Sequence, residues 1–333
     1  MSAPPSNGGE TDWSSAFGHR SVLLAETLEA LAVKPDGFYV DATLGGGGHS
    51  RAILNSLAPA GRLLALDVDP EPLLWAEKWS QDDPRLSLKR LNFKHLAAFL
   101  AESGLGPADG LVADLGVSSR QLIDGRRGFS FAAAGPLDMR LDPDGELKAV
   151  DIVNNWSEQE LKDTFWRLGE EKSAGRLAKA IVNKRQQQPF IDTASLSELA
   201  KLILWRPGPP PRIHPATRMF MALRLAVNQE LESLTEFLTQ ARCCLKTGGR
   251  LVVISFHSLE DRLVKQTLRG ILPEAAPNGR RASRLVQLEE LNGATPVSSE
   301  WKLWRKKAVK PSEEELLTNP RARSARLRYA EAI

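Results

Sequence analysis

The sequence predicts an α/β protein: a mostly parallel sheet with helices on its faces, an antiparallel edge, and a helical segment inserted part-way along. Three observations carry this. Phe38 to Ser50 reads F-Y-V-D-A-T-L-G-G-G-G-H-S, an apolar run, an acid, four glycines and the start of a helix. From there to about Ser118 strand-like and helix-like runs alternate, which implies right-handed crossovers between parallel strands. From Asp151 to about Arg206 the apolar period is helical.

A chain of 333 residues exceeds one ordinary compact domain, so one large domain with an insertion, or two domains, is expected. We assign residues 17–119 and 216–333 to the sheet domain, 120–215 to a substrate-binding helical insertion, and the Ser-, Pro- and Gly-rich residues 1–16 to a disordered tail. The hydrophobic fraction of 42% suffices for a core, and a net charge of +3 does not by itself announce nucleic acid. The distribution says more, with G-R-R-A-S-R at Gly279 to Arg284 and further Lys and Arg beyond. Cys243 and Cys244 are neighbours in an expected apolar helix, useless as zinc ligands and poorly placed for a disulfide. A reducing cytoplasm and no metal are therefore expected. No apolar run reaches the ~18 residues of a membrane span, and the N-terminus lacks the apolar segment of a signal peptide.

The elements follow in order. Ser21 to Leu31 is an amphipathic helix closed by K-P-D-G, and Phe38 to Asp41 is the first strand. L-L-A-L-D is a second strand ending at Asp67, followed by a helix from Pro72 to Trp79. Leu86 to Leu91 is a third strand, Lys94 to Glu102 a helix, and G-L-V-A-D-L-G a fourth strand. Two capping boxes, Ser157 with Glu160 and Ser195 with Glu198, mark helix starts in the insertion. The proline-rich stretch from Trp205 to Pro215 ends that run. Thr217 to Leu245 reads as one long helix, K-T-G-G-R as a turn, and L-V-V-I-S-F as the fifth strand. Trp301 to Val309 and Ser324 to Ala330 read as a closing hairpin or antiparallel edge pair.

Strand, glycine turn and helix in that order surround a ligand with backbone N–H groups and a helix N-terminus. Asp67 closes the second strand 21 residues after Gly46, about where a nucleotide-binding sheet presents a carboxylate to ribose hydroxyls. The dinucleotide pattern G-x-G-x-x-G fails, because its sixth place falls on Ser50 or Arg51. A phosphate-free adenosine ligand such as S-adenosyl-L-methionine fits better. Ligands of open sheets bind outside the strands' carboxyl ends, and four ends here are polar: Asp41 to Gly48, Asp67, Asn92-Phe93 and Asp114. Asp67 can accept from a ribose diol. Phe93 can lie on adenine, or be a core ring at a strand end. Asp114 faces the reacting centre in this topology. His49 offers a neutral imidazole or simply its backbone N–H.

Six stretches together resemble one family. They are G-G-G-G-H-S, D-L-G-V-S-S-R-Q (Asp114 to Gln121), G-F-S-F…G-P-L-D-M-R (Gly128 to Arg140), His214 to Leu231, I-S-F-H-S-L-E-D-R (Ile254 to Arg262) and N-P-R-A-R-S-A-R-L-R (Asn319 to Arg328). In that order they resemble the bacterial ribosomal RNA small-subunit methyltransferase H family, which methylates the exocyclic amine of a cytidine in 16S rRNA. The resemblance implies a class I methyltransferase sheet, S-adenosyl-L-methionine as methyl donor, and a target in the decoding region of the small subunit. It implies cofactor contacts at Gly47, Gly48, His49, Asp67, Phe93, Asp114 and Gln121. The family often carries a basic residue where this chain has Gly46, and residues 279–300 match it poorly.

Chemistry adds the rest as expectations. A cytosine amine is a poor nucleophile, so Asp114, or a nearby backbone carbonyl, would accept a hydrogen bond from it. The Asp/Asn-Pro-Pro-aromatic turn of many amino-methyltransferases is replaced here by Asp114-Leu115-Gly116-Val117. Ser255, His257 and Ser258 would border the target base or cap the next helix. Arg140, Arg212, Arg218 and Arg224 would meet RNA phosphates. Trp156, Trp166 and Trp205 read as core rather than as stacking residues. A homodimer is compatible with the chain. The competing readings are a DNA amino-methyltransferase, a cofactor-binding ribosome assembly factor without catalysis, and a nicotinamide-dependent oxidoreductase.

Overall fold

The computed structural model describes residues 21–131, 134–204, 214–271 and 300–333. The expected disordered tail, Trp205 and Arg212 in the proline-rich break, and the basic run Gly279 to Arg284 lie outside those residues. Seven strands form one sheet: β1 (Phe38–Asp41), β2 (Arg62–Asp67), β3 (Leu86–Arg90), β4 (Ala108–Asp114), β5 (Leu245–Ser255), β6 (Trp301–Leu303) and β7 (Arg326–Ala332). Their order is β3-β2-β1-β4-β5-β7-β6. The first five are parallel, and β7 runs antiparallel to both β5 and β6. The expected antiparallel edge is present, but not as a hairpin. A short helix, α13 (Glu313–Thr318), and a 3-10 turn at Pro320–Ser324 separate its strands.

The strand sequences dictate this. Central parallel strands are covered on both faces, so they read as continuous apolar runs, and a period of two sorts their side chains. Val40, Leu64, Leu66, Leu111, Ala113, Leu251 and Val253 enter one core, while Tyr39, Leu63, Val112, Val252 and Ile254 enter the other. The second core takes in α1 (Leu24–Leu31) and α2 (Gly48–Ser56). The first takes in α4 (Leu96–Ser103), α10 (Thr217–Asn228), α11 (Glu230–Gln240) and α12 (Ser258–Thr267). It continues without a break into α6 (Ala149–Asn155), α7 (Glu158–Arg167), α8 (Ala174–Gln187) and α9 (Thr193–Leu204). Two more helices complete the description: α3 (Pro70–Ser80), capped by Asp69 with Pro70 in its first turn, and α5 (Ser119–Ile123).

Several expectations need correction. The long helix from Thr217 to Leu245 is two helices, parted at Gln229, whose φ is 48°. The Asn228 amide causes no loss of apolar period but bonds outward to Met139 O at 2.8 Å and accepts from Leu141 N at 2.6 Å, tying the break to the preceding loop. Cys243 and Cys244 fall in the turn after α11 rather than in a helix. Ser157 and Glu160 form their capping box, but Ser195 does not cap α9. Asp192 does, accepting from Ser195 N at 2.7 Å, while Glu198 pairs with Lys201. K-T-G-G is a bulge inside β5, because β4 advances from Ala108 to Gly110 while β5 advances from Leu245 to Arg250. Trp166 is 54% exposed and so is not core, whereas Trp156 packs against the first core.

Ala32 closes α1 in the left-handed region at φ 48°, exposed and without a polar side chain to compensate. Ala32→Gly is expected to stabilise the protein by about 1 kcal/mol, read as a higher thermal midpoint.

Candidate active site

The carboxyl ends of β1 to β5 open into one cleft of about 1220 Å³. Its floor is the glycine turn. Gly47 sits at φ 75°, with the Trp79 ring 3.0 Å from where a Cβ would be, and at Gly48 a Cβ would lie 1.9 Å from Ser21 Oγ. Only glycine fits both positions without displacing a neighbour. Asp41, buried at the end of β1, fixes the turn: Ser50 Oγ donates to it at 2.6 Å and Thr43 N at 3.1 Å. Burial pushes its carboxyl up to about 6. No side chain caps α2, so the first N–H groups of that helix remain available at the cleft.

Asp67 sits beside the turn. Its two oxygens accept from Gly45 N and Asp69 N, each at 3.0 Å, which leaves two of its four lone-pair positions for a ligand. Burial pushes it up to about 6 against those two stabilising bonds. Phe93 lines the cleft and meets Phe237 edge-on at 5.2 Å, so it is both a wall and a core contact. Gln121 lines it too, but its amide is engaged. It donates to Asp69 at 2.7 Å and accepts from Ser118 N at 2.8 Å in the capping box of α5.

Asp114 and His49 face one another in the wall. His49 Nε2 lies 3.1 Å from Val22 O, which only an N–H can satisfy, so Nδ1 is a bare lone pair 3.8 Å from Asp114 Oδ2. Burial takes the imidazole down to about 4, so it is neutral. Burial, with Asp41 and Glu260 nearby, holds Asp114 well above the usual carboxylate range. Its Oδ1 is shielded from solvent and has no hydrogen-bond partner.

The expected substrate residues divide. His257 lines the cleft at the start of α12, with Nε2 2.9 Å from Glu260 Oε1, and also caps that helix. Ser255 does not reach the cleft: it is buried in β5, its Oγ donating to Arg326 O at 3.3 Å. The cleft begins one residue later, at Phe256. Arg218 is outside as well, bonded to Glu170 O at 3.2 Å. Arg140 lines the cleft, but its guanidinium clamps its own loop through Asp138, Pro143 O and Gly145 O. Arg224 is likewise spent, on Glu230 at 2.8 and 3.0 Å. Arg140 and Arg224 are thus committed to protein partners, while Arg218 keeps 43% of its side chain exposed outside the cleft.

Sequence reasoning missed Glu260. It is buried in the wall, accepts from Phe256 N at 2.8 Å and His257 N at 3.2 Å, and stays below its usual range because His257 and Arg224 outweigh the burial that raises it. The H-x-x-E spacing of a capping box was the available signal. The cleft rim is finished by Asn319 to Ser324 and by Ser21 and Val22, from opposite ends of the described chain.

An open sheet in this order, with its glycine turn after β1 and polar strand ends around one cleft, defines a class I S-adenosylmethionine-dependent methyltransferase. The chain belongs to the MraW methylase family, whose model matches residues 16–333. It is 48% identical to the ribosomal RNA small subunit methyltransferase H of Thermomicrobium roseum, over 95% of this chain and 94% of that one. The protein of the same description from Syntrophobacter fumaroxidans is 47% identical over 95% and 97%. Among solved structures, a putative rRNA-methylase from Clostridium thermocellum aligns at 12% identity and TM-score 0.41, over 95% of this chain and 100% of that one.

Proposed function

We propose that this methyltransferase moves a methyl group from S-adenosyl-L-methionine to the N4 amino group of a cytidine in the decoding region of 16S ribosomal RNA. The observation that carries the reading is the convergence of the glycine turn, Asp67, Phe93 and Asp114 on one cleft. Family membership and relatives covering nearly the whole chain support the RNA substrate.

The residues fit the donor. The free N–H groups at the start of α2 suit its carboxylate, Asp67 its ribose hydroxyls, and Phe93 its adenine. When bound, S-adenosyl-L-methionine supplies an electrophilic methyl group on a sulfonium. The protein's own part is positioning and proton handling. Burial and the neighbouring Asp41 and Glu260 carboxylates favour the protonated form of Asp114, with the bare His49 Nδ1 3.8 Å away. Ionised, it accepts a hydrogen bond from the cytosine amine, draws the nitrogen lone pair out of the ring, and takes the proton that the methylated amine releases.

We further propose that the helical segment 120–215 holds the RNA, with Trp166, exposed on α7, on its open surface. A reaction on ribosomal RNA places the protein in the cytoplasm, and no described helix is long and apolar enough to cross a membrane. Mass spectrometry of 16S rRNA fragments, after incubation of small subunits with the protein and labelled cofactor, is expected to show one added methyl on a cytidine. Label in duplex DNA instead, with none in ribosomal RNA, would overturn the assignment.

A further inference from the structure

On the sheet edge, away from the cleft, Lys265, Arg269, Arg305, Lys306 and Arg328 surround one dent of about 10 Å³. Arg328 is tied to Asp261 at 2.7 Å, but no carboxylate among the described residues pairs with the other four. The dent holds no more than a single water, so it is no small-molecule pocket. What can meet converging, unneutralised cations there is an anionic surface lying across them.

The chain carries this charge toward the cleft. Leu303 pairs with Ala330, and Val309 returns to the sheet opposite Leu327. The outer chain uses more residues than β7 over that interval, so 304–308 bulges outward, presenting Arg305, Lys306 and Lys307 to solvent. Lys310 follows, also exposed. β7 begins at Arg326 opposite Ser255, the cleft end of β5, and Arg321 and Arg323 line the cleft itself. From Ala330 to Arg326 the strand covers about 13 Å at 3.3 Å per residue.

Resting on the RNA substrate proposed above, we infer that this edge is a phosphate track for the RNA strand flanking the target base. It runs from Lys265, Arg269, Arg305 and Lys306 to Arg321 and Arg323 at the cleft mouth. Inside the cleft Arg140 and Arg224 are committed to protein partners, and the edge supplies cations that are not.

The test uses the full chain with Lys265→Gln, Arg269→Gln, Arg305→Gln and Lys306→Gln combined. Binding to a 16S rRNA fragment is followed against salt, alongside methylation kinetics, cofactor affinity and light scattering. Each phosphate contact contributes about 0.7–0.9 to the log–log salt slope. The variant is expected to lose roughly 3 from that slope and to raise KM for RNA at least about tenfold at physiological salt. Its kcat at saturating RNA and its cofactor affinity are expected to stay unchanged. An unchanged slope and KM overturns the track. Self-association of the variant with unchanged RNA affinity also overturns it, making these residues guards of an exposed strand edge. Failure of the wild-type chain to methylate RNA at all would instead strike the functional reading, and the binding slope would still report on the edge.

Discussion

Asp114→Ala is expected to reduce methyl transfer by about 10²–10⁴-fold, the range set by loss of a positioned acid–base group. Its fold is expected to survive. Asp114 is the cleft carboxyl with an orphaned, solvent-shielded oxygen, and its neighbours Asp41 and Glu260 disfavour its charge. A carboxyl whose folded-state pKa lies above its unfolded value contributes stability in acid, and loses it as pH rises through the folded value. At neutral pH removing Asp114 therefore takes away a cost, and the thermal midpoint should hold or rise. Tritium transfer to small subunits and thermal melting of one preparation read both halves. Wild-type methylation by the variant would end the assignment, and collapse of the fold would show that Asp114 is structural.

The second large effect concerns the cofactor. Asp67→Ala is expected to weaken binding of S-adenosyl-L-methionine by on the order of 10²-fold, as expected for losing hydrogen bonds to a charged acceptor. It also frees the amides of Gly45 and Asp69, so the glycine turn loosens. Asp67→Asn separates the two effects, because the amide oxygen can still hold one of those N–H groups. The wild-type carboxyl, pushed up to about 6 by burial, accepts fully only when ionised. Affinity is therefore expected to rise with pH through about 6, and in Asp67→Asn that rise should disappear. Calorimetric titration across the range decides it. An equally steep profile in the variant would place the titrating group elsewhere.

The sheet was legible because central parallel strands are apolar on both faces and cannot be mistaken for solvated loops. The same feature made the cleft legible: at Asp41, Asp67 and Asp114 an apolar run stops at a polar residue, and all three line or support one cavity. The break at Gln229 was not legible, since one left-handed residue leaves the apolar residues on either side at near-helical spacing. Ser255 failed for a related reason. One residue decides which side of a strand end a side chain occupies, and sequence gives that boundary no sharper than a residue or two. The arginines failed for a different one. A guanidinium looks free in sequence, and only tertiary contacts show that Arg140 is bound to its own loop and Arg224 to Glu230.

The cleft is sealed late in synthesis. Leu23 N donates to Glu315 Oε1 at 2.8 Å, and Asn319 to Ser324 complete the rim beside Ser21 and Val22. A polypeptide stopped before Asn319 would lack both that wall and β7, leaving Arg250 to Ser255 of β5 as a bare border. Ligand-linked stabilisation grows with the free ligand concentration relative to Kd, so it is withheld from such fragments.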